Sequence, residues 1–304
     1  MKIKSSWLAI TALALFSQMS TAATFPLPEE GSRLAGKLQR YIVEEGDTFA
    51  LIAKRYDVGF LSLMAANRGI DPFLPVAGSV LVIPSQFVLP DAPYEGIVIN
   101  LPELRLYYFP KGSGVVHIFP VGIGRVGRDT PEMLTRISVK IPNPTWTPPK
   151  SIRKEYLEKG IELPRVVPAG PDNPLGNYAL RLAYGSGEYL IHGTNKEFGI
   201  GLRVSAGCIR MEPKDIEWLF SQATKGEKVR VINQPIKMTL EPDRSVFMEV
   251  HEPLTNSKGV QESLVMPIEL GWWLEEFGVS DAKARATIQV QNGVPIEIAT
   301  PPNL

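Results

Sequence analysis

From Gly96 to Asn233 the chain is divided by glycine and proline into short apolar runs. The runs GIVINLPELRLYYF, VVHIFPVGIG, LTRISVKIPNPTWTPP, YALRLAY, YLIHG and KVRVIN are alternating or wholly apolar, with turn-forming residues between them. That pattern predicts a mainly β domain over residues 95–234, β-sandwich-like with short helices. Two helices are expected in it, over Ser151–Lys159 and Pro213–Gln222. In the second, Pro213 suits a first helical turn, and Ile216, Leu219 and Phe220 share a face.

Two smaller units flank this domain. Over residues 40–85, Tyr41-Ile42-Val43 and Val80-Leu81-Val82-Ile83 read as strands enclosing two helices. Asp47-Thr48 offers a cap, and Phe49, Ile52 and Ala53 fall at helical spacing. The second helix runs from Phe60 to about Asn67, ended by Arg68-Gly69, giving a βααβ module. Val88–Pro93 reads as a linker. Residues 235–304 read as a small α+β subdomain with no evident role: a strand over Ser245–Val250 and helices over Trp272–Phe277 and Asp281–Gln289. Its Trp272-Trp273 pair suits either a sugar-stacking surface or, more commonly, core anchors.

The first 22 residues read as a signal peptide rather than part of the fold. Lys2 and Lys4 precede an apolar run, Trp7–Phe16, too short to span a bilayer. Small residues follow, with a cleavage point after Ala22 or Ala23. No later run of about 18 apolar residues suggests a transmembrane anchor. Lys+Arg and Asp+Glu both number 32, which removes any compositional case for nucleic acid or an anionic membrane surface.

Export changes how the single cysteine is read. Exported proteins usually pair their cysteines, and Cys208 has no partner in the chain. It is either a buried, inert thiol or one kept free for reaction.

Several motifs lead nowhere. Gly122-Ile123-Gly124-Arg125-Val126-Gly127 matches GxGxxG, but Arg128-Asp129-Thr130-Pro131 follows where a dinucleotide site needs a helix. His117, His192 and His251 lack metal-ligand spacing, and His117 and His251 read as structural or surface residues. No GxSxG elbow exists for a serine hydrolase. No cofactor or metal is expected.

That leaves His192 and, sixteen residues later, Cys208. His192 ends the apolar strand Tyr189-Leu190-Ile191 and is followed by Gly193. Cys208 follows Ser205-Ala206-Gly207 and precedes a helix, near backbone amides that lower a thiol pKa and hold an oxyanion. A histidine at a strand end can take the thiol proton and return it to a leaving amine. By spacing alone, a buried cysteine in a glycine-rich turn beside an unrelated histidine is the better fit.

The surrounding residues carry more. HGTN followed by SAGCIRM resembles the signature of the L,D-transpeptidase (YkuD-type) catalytic domain, and TPEM, NPTWTPP and NPLGNYALRL extend the likeness over about Gly96–Asn233. Residues Tyr41–Pro84, with GDT, IAxxY, AN and GxxLxIP, resemble a LysM domain, which implies binding of N-acetylglucosamine-containing glycan. A spacer of that shape is the alternative.

The three-part chain is similar to periplasmic enzymes that attach the major outer-membrane lipoprotein to peptidoglycan. The resemblance implies that Cys208 is the acyl-forming nucleophile, His192 its base and acid, and the Gly193 carbonyl the orienting group. The amides of Gly207 and Cys208 would hold the oxyanion, and Ser205 would shape the turn. Arg210 would position the site or a substrate carboxylate, or form a structural ion pair. Trp146 would line the donor cleft or pack beside it. Many relatives carry a second histidine where this chain has Ala206.

The implied reaction cleaves the diaminopimelate–D-alanine bond of a tetrapeptide stem and passes the acyl group to an amine. The lipoprotein's C-terminal lysine is the expected acceptor. Alternatives are 3–3 cross-linking, hydrolysis as a carboxypeptidase or lipoprotein-releasing amidase, a non-enzymatic wall-binding adaptor, and another cysteine-peptidase class.

Overall fold

The computed structural model describes residues 23–299 except 197; the expected signal peptide lies outside the described residues. The chain opens with β1 (Ala23–Pro26) and β2 (Leu34–Gly36), then β3 (Gln39–Ile42), α1 (Phe49–Arg55), α2 (Phe60–Ala66) and β4 (Val80–Ile83). β3 and β4 pair antiparallel and close the βααβ module. Thr48 caps α1 by accepting from the Leu51 amide at 3.3 Å. Asp47 instead ties the turn, accepting from Tyr41 Oη at 2.6 Å and the Glu44 amide at 2.9 Å. Asn67 ends α2 by bonding β4 on both sides, to Val82 O at 2.8 Å and from Val82 N at 2.7 Å.

β5 (Gln86–Val88) leads into the main domain: β6 (Gly96–Asn100), β7 (Arg105–Phe109), β8 (Val115–Pro120), β9 (Ile123–Gly124), β10 (Met133–Pro142) and α3 (Lys150–Glu158). β11 (Tyr178–Leu182), β12 (Leu190–His192), β13 (Arg203–Ser205), β14 (Ile209–Arg210), α4 (Pro213–Gln222) and β15 (Lys228–Ile232) complete it. Nine strands form one sheet in the order β1-β8-β7-β6-β15-β10-β11-β12-β14, while β9 and β13 form a separate parallel pair.

β6 is buried along its whole length, and apolar up to Asn100, because both its faces are covered. Ile97 and Ile99 join the main core with Phe119, Ile191, Ile209 and α4 residues Ile216 and Leu219. Val98 points the other way, into a second cluster with Phe87, Leu89 and Tyr107.

That second cluster corrects one expectation. Val88–Pro93 is not a free linker: β5 pairs with β2, Val88 and Leu89 are fully buried, and Arg33 Nη2 donates to Leu89 O at 2.7 Å. The apolar side chains of Phe87 and Leu89 find the outer sheet face and draw the segment onto it.

The C-terminal unit is α+β, with β16 (Ile236–Leu240), β17 (Val246–Val250), α5 (Ile268–Glu276), α6 (Asp281–Val290) and β18 (Ile296–Ala299). Trp273 packs against its core, whereas Trp272 is 65% exposed. A dry ionic cluster joins this unit to the main domain. Lys237 Nζ lies 3.0 Å from Glu103 Oε1 and 3.1 Å from Glu249 Oε2, and Arg105 Nη1 lies 2.9 Å and 2.8 Å from their other oxygens. His251 Nε2 contacts Glu249 at 2.6 Å, and the Val88 amide donates to the same carboxylate at 2.6 Å. Glu103, Glu249 and His251 have the composition of a metal-ligand set, but Lys237 and Arg105 already neutralise its carboxylates. Burial alone would raise the Glu249 carboxyl; Lys237 and the His251 contact hold it well below the usual range.

The LysM-like module also docks. Leu61 N donates to Gly201 O at 3.4 Å, and Lys214 Nζ pairs with Asp57 at 2.5 Å. Among the described residues, no helix is long and apolar enough to cross a membrane.

Candidate active site

β12 and β14 run parallel, with Ile191 opposite Ile209 and His192 opposite Arg210. Ile191 and Ile209 are fully buried in the core. A one-residue slip of either strand would take its isoleucine out of the core at about 2 kcal/mol, so the register is fixed. Alternation then puts Leu190, His192, Cys208 and Arg210 on the opposite side of the ladder. The sixteen-residue separation between His192 and Cys208 closes to neighbouring strands.

Cys208 lines a cleft of about 910 Å³, with Arg210, Ser205, Ala206 and Trp146 also on its walls. Among the described residues, the cleft carries five basic side chains, Arg125, Arg128, Arg181, Lys196 and Arg210, against two acidic ones, Glu155 and Glu188. α3 forms part of one wall, where Glu155 pairs with Arg125 and lies 3.7 Å from Arg128, and Ser151 accepts from Arg128 at 2.8 Å.

His192 is buried, and its Nδ1 lies 2.5 Å from Gly193 O. A carbonyl only accepts, so Nδ1 carries the proton and Nε2 keeps its lone pair. Burial, reinforced by the Arg210 charge, lowers the imidazole to about 4, against the Gly193 carbonyl. Burial likewise pushes the Cys208 thiol up, while the Leu190 amide and Arg210 pull it down. Both shifts favour the uncharged forms, thiol and imidazole, over an ion pair. The sulfur sits 3.5 Å from Glu188 O, within reach of a weak S–H bond.

The turn that carries Cys208 is tightly held. Ser205 Oγ accepts from the Gly207 amide at 3.1 Å and donates to Cys208 O at 2.5 Å. The Gly207 amide, expected to face an oxyanion, is thus engaged inside the turn. Gly207 has φ +110°, and an added Cβ would sit 3.3 Å from the Tyr189 ring. Arg210 forms no structural carboxylate pair among the described residues; burial lowers its pKa, and its Nε is buried without a partner.

Other candidates fall away from this cleft. His117 Nδ1 bonds Thr24 Oγ1 at 2.8 Å and its ring lies 4.4 Å from that of Trp218, while His251 belongs to the ionic cluster. The GxGxxG segment forms β9 and a turn, as its turn chemistry predicts. Sequence reasoning gave no role to Thr130, whose hydroxyl accepts from Gly124 N at 3.0 Å and donates to Gly207 O at 2.9 Å. Its signal was the TPEM motif.

Comparison with known proteins agrees with this organisation. Residues 95–231 match the L,D-transpeptidase catalytic domain, 235–298 the L,D-transpeptidase C-terminal domain and 41–84 the LysM domain. The Escherichia coli protein named Probable L,D-transpeptidase YcfS is 50% identical over 297 residues, 95% of this chain and 92% of that one. Probable L,D-transpeptidase YbiS is 47% identical over 89% of both chains, and Probable L,D-transpeptidase ErfK/SrfK 45% identical over 95% of both, each from Escherichia coli. With a free thiol at a cleft, a buried neutral histidine on the same ladder and relatives matched nearly end to end, the chain belongs to the L,D-transpeptidase family.

Proposed function

We propose that this L,D-transpeptidase works in the periplasm with Cys208 as nucleophile, cleaving the diaminopimelate–D-alanine bond of peptidoglycan tetrapeptides and delivering the acyl group to the C-terminal lysine of the outer-membrane lipoprotein. The observation that carries this reading is the chain's single thiol opening into a cleft of excess positive charge, directly before the strand β14 that pairs with the strand of His192. A stem peptide bearing several free carboxylates is the complement of such a cleft.

In the first step the Cys208 sulfur bonds to the carbonyl carbon of diaminopimelate while the thiol proton passes to His192 Nε2. The C–N bond to D-alanine then breaks, and His192 returns the proton to the leaving amine. In the second step the acceptor amine forms the new C–N bond, gives a proton to His192, and the C–S bond breaks as that proton restores the thiol.

Gly193 fixes the imidazole tautomer through its carbonyl, Ser205 holds the turn, and Arg210 meets a substrate carboxylate. The Cys208 amide is the oxyanion donor; the Gly207 amide adds to it only by leaving Ser205. The reading of the acceptor rests on the three-part chain, which resembles lipoprotein-attaching enzymes, and the LysM domain holds the glycan near the site.

The test is incubation with sacculi and lipoprotein, followed by mass spectrometry of the linkages. A lysine–diaminopimelate bond made by the wild type and not by Cys208→Ala is expected. Only 3–3 cross-links, or only free tripeptide, would replace the lipoprotein by a diaminopimelate amine or by water.

A further inference from the structure

We propose that Thr130 is a positioning residue for acyl transfer: it fixes the Gly207–Cys208 peptide so that the Cys208 amide faces the cleft as the oxyanion donor. This rests on the reading of Cys208 as the nucleophile.

Thr130 is 6% exposed, and its hydroxyl has a single hydrogen to give. The Gly124 amide at 3.0 Å can only donate and the Gly207 carbonyl at 2.9 Å can only accept, so the hydroxyl's direction is determined. No described peptide bond is cis, and in a planar trans peptide the C=O and N–H point opposite ways. Drawing Gly207 O toward buried Thr130 therefore turns the Cys208 N–H away from it. Ala206 and Cys208 line the cleft and Thr130 does not, so that direction is toward the cleft.

Ser205 cannot do this work. Its hydroxyl holds the Gly207 N–H and the Cys208 C=O, which belong to the two neighbouring peptides. The middle peptide depends on Thr130, and it adjoins a glycine, the residue that least resists a peptide rotation. The glycine-rich segment thereby acquires a purpose. Gly122 and Arg210 exchange both backbone bonds at 2.8 Å, and Gly124 anchors Thr130, so the segment braces the nucleophile turn from behind.

The experiment compares full-length wild type, Thr130→Val, Thr130→Ser and Cys208→Ala. It measures D-alanine release from a soluble tetrapeptide muropeptide, and alkylation of Cys208 by iodoacetamide. Alkylation needs a reachable thiolate but no oxyanion pocket, whereas acyl transfer needs both. Thr130→Val should lower kcat by roughly 10²–10³-fold, the loss typical of one oxyanion donor, with KM and the alkylation rate within about twofold of wild type. Thr130→Ser should restore kcat to within about tenfold. Undiminished kcat in Thr130→Val, parallel losses of alkylation and release, or failure of Thr130→Ser to restore kcat would overturn the proposal. Continued release by Cys208→Ala would instead overturn the nucleophile reading, and this proposal with it.

Discussion

Gly59 and Gly201 meet backbone to backbone: a methyl group on Gly201 would lie 2.5 Å from the Gly59 Cα. The first belongs to the LysM domain and the second to the loop before β13, so the two domains are in direct contact rather than strung on a tether. Gly201 also has φ +70°, where a side chain is strained.

Gly201→Ala should therefore separate the two domains locally and destabilise the protein by about 1–3 kcal/mol. Deleting the LysM domain should reduce turnover of soluble muropeptides as well as sacculus binding, since the loop loses its support. Melting curves and D-alanine release assays measure both effects. Unchanged soluble turnover after deletion would show that the contact is passive.

The pH dependence follows from two displaced groups. As the proposed base, His192, lowered to about 4, can act only while neutral, so kcat/KM should hold down to about pH 5 and fall as pH drops through 4. The Cys208 thiol is raised, so its alkylation rate should climb through pH 9 without a plateau near neutrality. A neutral-pH plateau in alkylation would mean that the resting pair is ionic. His192→Gln should lower kcat by about 10²–10⁴-fold while leaving muropeptide binding intact.

The ionic cluster offers a contrast between buried and exposed pairs. Lys237→Met leaves Glu103 and Glu249 sharing Arg105 in a dry site and should cost about 3–5 kcal/mol in a denaturant titration. Lys214→Ala, at a pair whose lysine is 39% exposed, should cost under about 1 kcal/mol.

Asp215, buried in the first turn of α4, is raised to about 7 by burial, against Lys214. Its neutral form favours the fold, so the stability it contributes is complete below about pH 3.8 and disappears as pH rises through 7. Asp215→Asn should stabilise the protein at pH 8 by up to about 4 kcal/mol and leave it unchanged at pH 4. Equal effects at both pH values would contradict this origin.

Local pattern made much of this molecule legible. The α4 helix, the βααβ module, the α+β tail and the strand ending at His192 all follow from periodicity and punctuation. Within the site, the expected export, the glycine placement and the motif all point to Cys208 and His192, and the structure places both at the β12–β14 pair. What could not be read depends on pairings remote in sequence. The segment 88–93 reads as a linker because its prolines are visible and its burial partners, Glu249 and the outer sheet face, are not. Thr130 gains its meaning only when the chain brings Gly207 to it, 77 residues later. The positive charge of the cleft likewise comes from separate segments, in a chain whose totals cancel.

The same buried cluster limits how this architecture can be rearranged. Glu103 and Arg105 come from the catalytic sheet, Lys237, Glu249 and His251 from the C-terminal unit, and the Val88 backbone from the strand leaving the LysM domain. A module grafted in from a relative would arrive with its own share of these charges, and any mismatch would leave an ion stranded without water. Recombination among such enzymes should therefore succeed only where the donor segment brings a matching set, which makes the chain a unit of inheritance larger than any of its domains.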